Sequence, residues 1–334
     1  VNITSGSLII NSDVTTSGGL DFSGGVLAGS GRLTLSGASS WTGGDMAGSG
    51  VTVISPGAFL SLAGSTKTLA RTLENHGDIT WTAGDIAFSN ATLLNNATFT
   101  ADSATTLQAY GSAGLNIFQN NATFTKLGAG TTDFLVSTTG VTFNNPVTGS
   151  VNIDAGTLTI RPSFTNSGSL SIAAGALLNV PATFTQTASA TLNIEVANPV
   201  NTIFGRITAA AASIAGSLNV TFTGGYLQTC GDTFEFITTS NTTGVTGAFT
   251  TVSLPGPNGG NTLHAVIAYS GDNARIVISP TADWGDNADG TLNSQDFFNF
   301  LTDFFSGNAD FNRDGVTNSQ DFFDFLTIFF SGCG

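Results

Sequence analysis

The feature that most constrains this chain is a decapeptide that returns after 40 residues. Trp41-Thr42-Gly43-Gly44-Asp45-Met46-Ala47-Gly48-Ser49-Gly50 comes back as Trp81-Thr82-Ala83-Gly84-Asp85-Ile86-Ala87-Phe88-Ser89-Asn90. A weaker copy, Phe22-Ser23-Gly24-Gly25-Val26-Leu27-Ala28-Gly29-Ser30-Gly31, stands at about half that offset. A second phrase, Asn95-Asn96-Ala97-Thr98-Phe99-Thr100, recurs 25 residues later as Asn120-Asn121-Ala122-Thr123-Phe124-Thr125. Short runs such as Arg32-Leu33-Thr34-Leu35, Val51-Thr52-Val53-Ile54, Thr157-Leu158-Thr159-Ile160 and Ser169-Leu170-Ser171-Ile172 alternate apolar and polar residues. Period two marks half-buried strands, and the Gly, Asn and Ser that follow each run mark turns. Strands this short at a spacing near ~20 residues predict a β-solenoid with two or three strands per coil. An array of β-sandwiches is the alternative. The short period and the scarcity of charge favour the solenoid, a mostly β, parallel β-helix body.

Charge then narrows the function. Only 9% of the 334 residues are charged, and the net charge is −14. Eight basic residues do not make a nucleic-acid footprint or an anionic-membrane surface. No apolar run reaches the ~20 residues of a membrane helix, so membrane insertion is not expected. The chain begins at Val1 without an initiator Met, which fits a secreted or cell-surface protein after removal of an export signal. Cys230 and Cys333 pair with each other, stay free, or leave Cys333 to anchor the chain to another. Six Asn-x-Ser/Thr sequons, at Asn2, Asn90, Asn96, Asn121, Asn219 and Asn241, match what so Asn- and Thr-rich a chain carries by chance.

Residues 1–195 resemble bacterial surface β-strand-repeat proteins of the autotransporter-passenger type. The likeness lies in Asn120 to Thr132 and in Val151-Asn152-Ile153-Asp154-Ala155-Gly156-Thr157-Leu158-Thr159-Ile160. It implies a right-handed parallel β-helix outside the cell and carries no catalytic residue over. Residues 196–280 read as the last part of the solenoid and its cap. Gly231-Asp232-Thr233-Phe234 and Gly247-Ala248-Phe249 are similar to the closing module of such passengers.

After Pro280 the composition changes. Residues 281–334 hold nine Asp, one Arg and 11 of the 26 Phe. Asp289 to Gly307 matches Asp314 to Gly332 at 15 of 19 positions. In the second copy Asp310, Asn312, Asp314, Asn318 and Asp321 place oxygens at positions 1, 3, 5, 9 and 12 of a calcium loop. Gly315 stands at the bend, and Val316 offers its carbonyl at position 7. Phe322, Phe325, Leu326, Phe329 and Phe330 then recur at helical spacing. In the first copy the donors are Asn287, Asp289, Thr291, Asn293 and Asp296. Position 1 falls on Gly285, so Asp283 or Asp286 must substitute. Asn-Ser-Gln-Asp-Phe-Phe, twice, with a Gly-Cys end, resembles the GC-type dockerin family. That resemblance covers residues 283–334 and implies two Ca2+ sites and an attachment role.

Catalysis has thin support. Asp45 and Asp85 share a repeat position and are the one carboxylate pair to consider for glycoside hydrolysis. Lys67, Arg71 and Lys126 are isolated, and His76 and His264 lack partners for zinc or a hydrolase triad. Trp41 and Trp81 are candidates for sugar contact if exposed, although repeat-matched aromatics more often stack on each other. The expected function is therefore non-enzymatic: an extracellular structural protein that assembles with itself head to tail, or attaches to an anchoring surface protein through its calcium-binding tail. The alternative is a monomeric carbohydrate-binding adhesin, with a polysaccharide-degrading β-helix enzyme behind it.

Overall fold

A computed structural model describes residues 1–136, 139–198, 203–242, 244–257, 260–285 and 289–333. The body is a parallel β-solenoid. Each coil gives one short strand to each of three sheets, so hydrogen-bonded neighbours in a sheet are every third strand in sequence. Among the described residues the first sheet has 13 strands, the second 15 and the third seven. Coil length varies from 19 residues, as Phe59 pairs with Asp78, to 34, as Ser217 pairs with Thr251. The sequence repeats now have a physical meaning. Trp41 lies under Leu62 and Leu62 under Trp81, so the 40-residue offset is two coils. Phe99 lies under Phe124, so the 25-residue offset is one.

Inward side chains form columns along the axis. Phe99 and Phe124 stack at 5.7 Å, and Phe118 and Phe143 at 4.9 Å, with edge contacts between the two pairs. Aromatic rings favour such offset and edge arrangements. Outward positions of the first sheet run from Thr98 and Thr100, through Thr123, Thr125, Ser150, Asn152, Ser169 and Ser171, to Thr191, Asn193, Ser217 and Asn219. Apart from the exposed Asp102 and Glu195, the outward positions of these six coils carry no charge.

Corners are harder, because a turning backbone leaves buried carbonyls and N–H groups without strand partners. Three devices satisfy them. Gly25, Gly44, Gly64 and Gly84 take one corner in four successive coils, all with positive φ, where a side chain would be strained. At the corner between the third and first sheets, Asn75, Asn95, Asn120, Asn145 and Asn166 stand in one buried file that ends on Gln186. Each Nδ2 donates to the next side-chain oxygen, at 2.8, 2.8, 2.9, 2.6 and 2.9 Å. The second hydrogen goes to a backbone carbonyl, that of Thr98, Thr123, Ser150, Ser169 or Gly168. The third device is a buried cation. Lys67 Nζ donates to the carbonyls of Ala63, Ser65 and Ala83. Lys126 does the same for Leu127, Gly128 and Ala155, and Arg71 for Gly31, Ala47 and Gly50. These cations, isolated in sequence, tie successive coils together.

From Leu177 the second and third sheets merge. Leu177–Gln186 serves both, and its register breaks between Val180 and Thr183, where Pro181 has no N–H to give. Parallel pairing continues through Thr191–Asn198, Arg206–Ile214 and Ser217–Phe222. Thr233–Thr239 then pairs antiparallel with Asn273–Pro280, which pairs antiparallel with Leu263–Tyr269. This hairpin ends the second sheet and covers its last strand edge.

Replacing Asn120 by Ala strands Asn95 Nδ2, Asn145 Oδ1 and the Ser150 carbonyl at once. Asn120→Ala should lower stability by about 2–4 kcal/mol in urea denaturation, against about 0.5–1 kcal/mol for the partly exposed Asn121→Ala. Burial pulls the Lys67 ammonium down from 10.5 to about 8, with Asp85 resisting the fall. Between those values the unfolded chain holds a proton that the folded chain has released. Stability should therefore rise from pH 8 towards 10.5, and Lys67→Met should flatten that rise, leaving the share of Lys126, which burial also lowers, when both are unfolded chemically across the range.

Candidate functional site

The chain leaves the solenoid at Pro280 and folds its acidic tail into two loop–helix units. Helix α1 spans Ser294–Phe305 and α2 spans Ser319–Ser331. Their apolar faces meet around Phe300 and Phe325, whose rings stack at 3.9 Å, with Trp284 and Phe311 packed on Phe300. This small core is separate from that of the solenoid. Each helix starts with a reciprocal cap. Asn293 and Asn318 accept from the N–H groups of Gln295 and Gln320, and Asp296 and Asp321 accept from those of Asn293 and Asn318. The Asn-x-x-Asp spacing that carries this cap was present in the sequence as a helix-start signal, alongside the metal-donor reading of the same residues.

In the second loop Asp310 accepts from the N–H groups of Asp314 and Gly315, Asn312 from Asp314, and Asp314 from Val316. Asp321 reaches back to the N–H of Asn312. Oxygen atoms thereby line the inside of the bend, with Gly315 and Arg313 both at positive φ. The first loop repeats this frame with one change. Asp283 accepts from Gly290 as Asp310 does from Gly315, and Asp296 reaches back to Trp284. Asp283 therefore fills position 1, and the loop is two residues longer than its copy. Asp289 accepts from Thr291, and Asn293 donates to the Thr291 carbonyl. Asp286 and Asn287 lie outside the described residues.

The two loops differ electrostatically. Asp283 is 1% exposed, and among the described residues its Oδ1 has no hydrogen-bond partner within bonding distance. Burial pushes its carboxyl up, and the Asp289 charge adds to this against the Ser279 hydroxyl and the Gly290 N–H. Burial likewise raises Asp296, with Asp283 and Asp289 contributing. For Asp321 burial also works upward, but N–H donors from Asn318, Asn312 and Phe311 outweigh it and hold the group below the usual range. A bound dication would relieve the crowding in the first loop. Both donor sets consist of hard oxygens, the chemistry Ca2+ prefers. Among the described residues no three Asp, Glu, His or Cys side chains already converge on one point. A shell around a cation would have to draw on Asn312, Asn318 and the Val316 carbonyl as well as the carboxylates.

Other candidates fall elsewhere. Trp41 and Trp81 are buried, and their indole N–H groups donate to the carbonyls of Gly44 and Gly84. Neither ring is open to a sugar. Their repeat marked a core column, and alternation alone does not tell an inward tryptophan from an outward one when both sit beside turns. Asp45 stands in register with Thr68, and Thr68 with Ala87, so the column above Asp45 passes two residues beyond Asp85. The pair is thus offset along the strand. His76 lies 3.8 Å from Glu74, which is ion-paired to Arg32. Cys230 and Cys333 form a disulfide that fastens the end of α2 to the cap. No protein-family profile matches the chain, and no curated protein matches it.

Proposed function

We propose that this chain is an extracellular structural protein. Its sparsely charged solenoid forms a rod, and its dockerin-like, calcium-binding tail joins the rod to a neighbour, either another copy of the chain or an anchoring surface protein. The observation that carries this reading is the duplicated loop, in which Asp283 and Asp310 hold Gly290 and Gly315 in the same way. Duplicate loops with one hydrogen-bond frame and oxygen-only donors suit two calcium ions. The disulfide supports an oxidising, extracellular setting. The helices also expose matched aromatic pairs, Phe298 with Phe305 and Phe323 with Phe330, at 59, 82, 59 and 79%. Exposed phenylalanines in such numbers suit attachment surfaces. Among the described residues no helix is long and apolar enough to cross a membrane.

Isothermal titration should find two calcium ions per chain, and Asp283→Ala should lose one of them while the second loop keeps its own. Negative-stain electron microscopy and sedimentation velocity, with calcium and with chelator, test the assembly. Filaments or layers that dissolve on chelation are the expected result. Monodisperse monomers in both conditions would exclude self-assembly and leave attachment to a different protein.

A further inference from the structure

The two acidic loops share one frame, but they hang from different parts of the molecule. Asp310 leads the second loop and follows Gly307-Asn308-Ala309, the link between α1 and α2, so its carboxylate is carried by the tail. Asp283 leads the first loop and comes directly after Thr281 and Ala282, at the end of the cap strand Asn273–Pro280. This approach is tied to the cap. The Thr281 N–H donates to the Thr262 carbonyl and its hydroxyl to the Asn261 carbonyl, each at 2.9 Å. The Asp283 N–H turns back to the Pro280 carbonyl at 2.9 Å, and Pro280 stands in register with Leu263. The first carboxylate of this loop is therefore positioned by the solenoid cap, while Asp289 belongs to the loop and Asp296 to α1.

Cap and loop are in close contact at this point. Gly290, at a φ of 86°, rests on Val277 so closely that a Cβ there would lie 2.7 Å from a Val277 methyl. Asp283 Oδ2 takes the Gly290 N–H at 2.8 Å. Asp283 Oδ1 has no such partner, and among the described residues neither has the hydroxyl of Ser279, a cap-strand residue that is 1% exposed. Ser279 lies near enough to act on the Asp283 carboxyl. Two buried oxygens on the cap side thus stand open beside three carboxylates, Asp283, Asp289 and Asp296, that feel one another's charge. Buried polar groups left open call for a partner, and hard oxygens offered from both sides of a joint suit a dication.

We propose that the first loop is a calcium-dependent joint between rod and tail, in which Asp283, backed by Ser279, holds the ion from the cap while Asp289 and Asp296 hold it from the tail. The second loop, led by Asp310, braces the tail alone. This rests on the calcium reading above and adds to it a division of labour between the two loops. Without the ion, like charges face one another across the joint and loosen it. With the ion, the same carboxylates are drawn to one centre and the tail is locked on the solenoid. Hydrogen–deuterium exchange of the whole, disulfide-intact chain in calcium and in chelator tests this, with calcium stoichiometry measured by titration on the same samples. Calcium should slow amide exchange in the cap strands Leu263–Tyr269 and Asn273–Pro280 by about tenfold. Asp310→Asn should lose one ion and keep that protection, whereas Asp283→Asn should lose one ion and the protection with it. The wild-type comparison decides the matter even where Asp283→Asn does not fold. Cap exchange indifferent to calcium in a chain that binds two ions, or protection lost equally in Asp310→Asn, would overturn the joint and leave the calcium reading standing. A chain that binds no calcium would overturn both.

Discussion

Everything in the rod depends on hydrogen bonds that run along its axis, from one coil to the next. On the flat faces the backbone supplies them. At corners it cannot, and the molecule brings in side chains. The asparagine file is the fullest case, since each amide closes one bond to its neighbour and one to the backbone above. A buried amide with both hydrogens used costs little, whereas one left open costs about 1–3 kcal/mol. The file therefore behaves as a single unit, and each member fixes the register of the coils on either side. Lys67, Lys126 and Arg71 extend the same logic with charge, gathering three carbonyls each around a donor that burial would otherwise penalise.

The solenoid was legible because period-two runs, glycine turns and repeat offsets all point the same way. The offsets agree with a coil of ~20 residues. Forty residues is two coils and 25 is one, because coils differ in length and the recurring phrase marks every second coil. The asparagine file escaped the sequence reading although Asn95 and Asn120 stood in a quoted repeat. Asn75, Asn145 and Asn166 sit at unequal spacings, and only the folded register aligns them. Alternation alone left Trp41 and Trp81 open between mutual stacking and sugar contact, because which of two alternating faces points inward depends on where each corner falls. In the tail, counting back by 25 led to Gly285, while the folded loop uses Asp283, since two residues are inserted between the carboxylate and its glycine.

The tail and the rod are joined more firmly than their separate cores suggest. The chain passes from one to the other at Pro280, and the disulfide closes the far side of the junction. A cross-link over 103 residues restricts the unfolded chain by about 4–5 kcal/mol on a chain-entropy account. The first acidic loop lies against Val277 of the cap, so a change in that loop's shape is felt directly by the last strands of the solenoid. The carboxylates with raised pKa sit on this side of the tail, and Asp321, with its lowered pKa, belongs to the second loop.

Unequal coils have one more consequence. A coil of 19 residues and one of 27 advance the rod by the same step, about 4.8 Å, because the surplus bulges sideways at a corner. Reach is thus counted in windings, while the decoration of the flanks is set by how much chain each bend carries. Natural variation can enlarge or trim those bends without altering the span between the two ends.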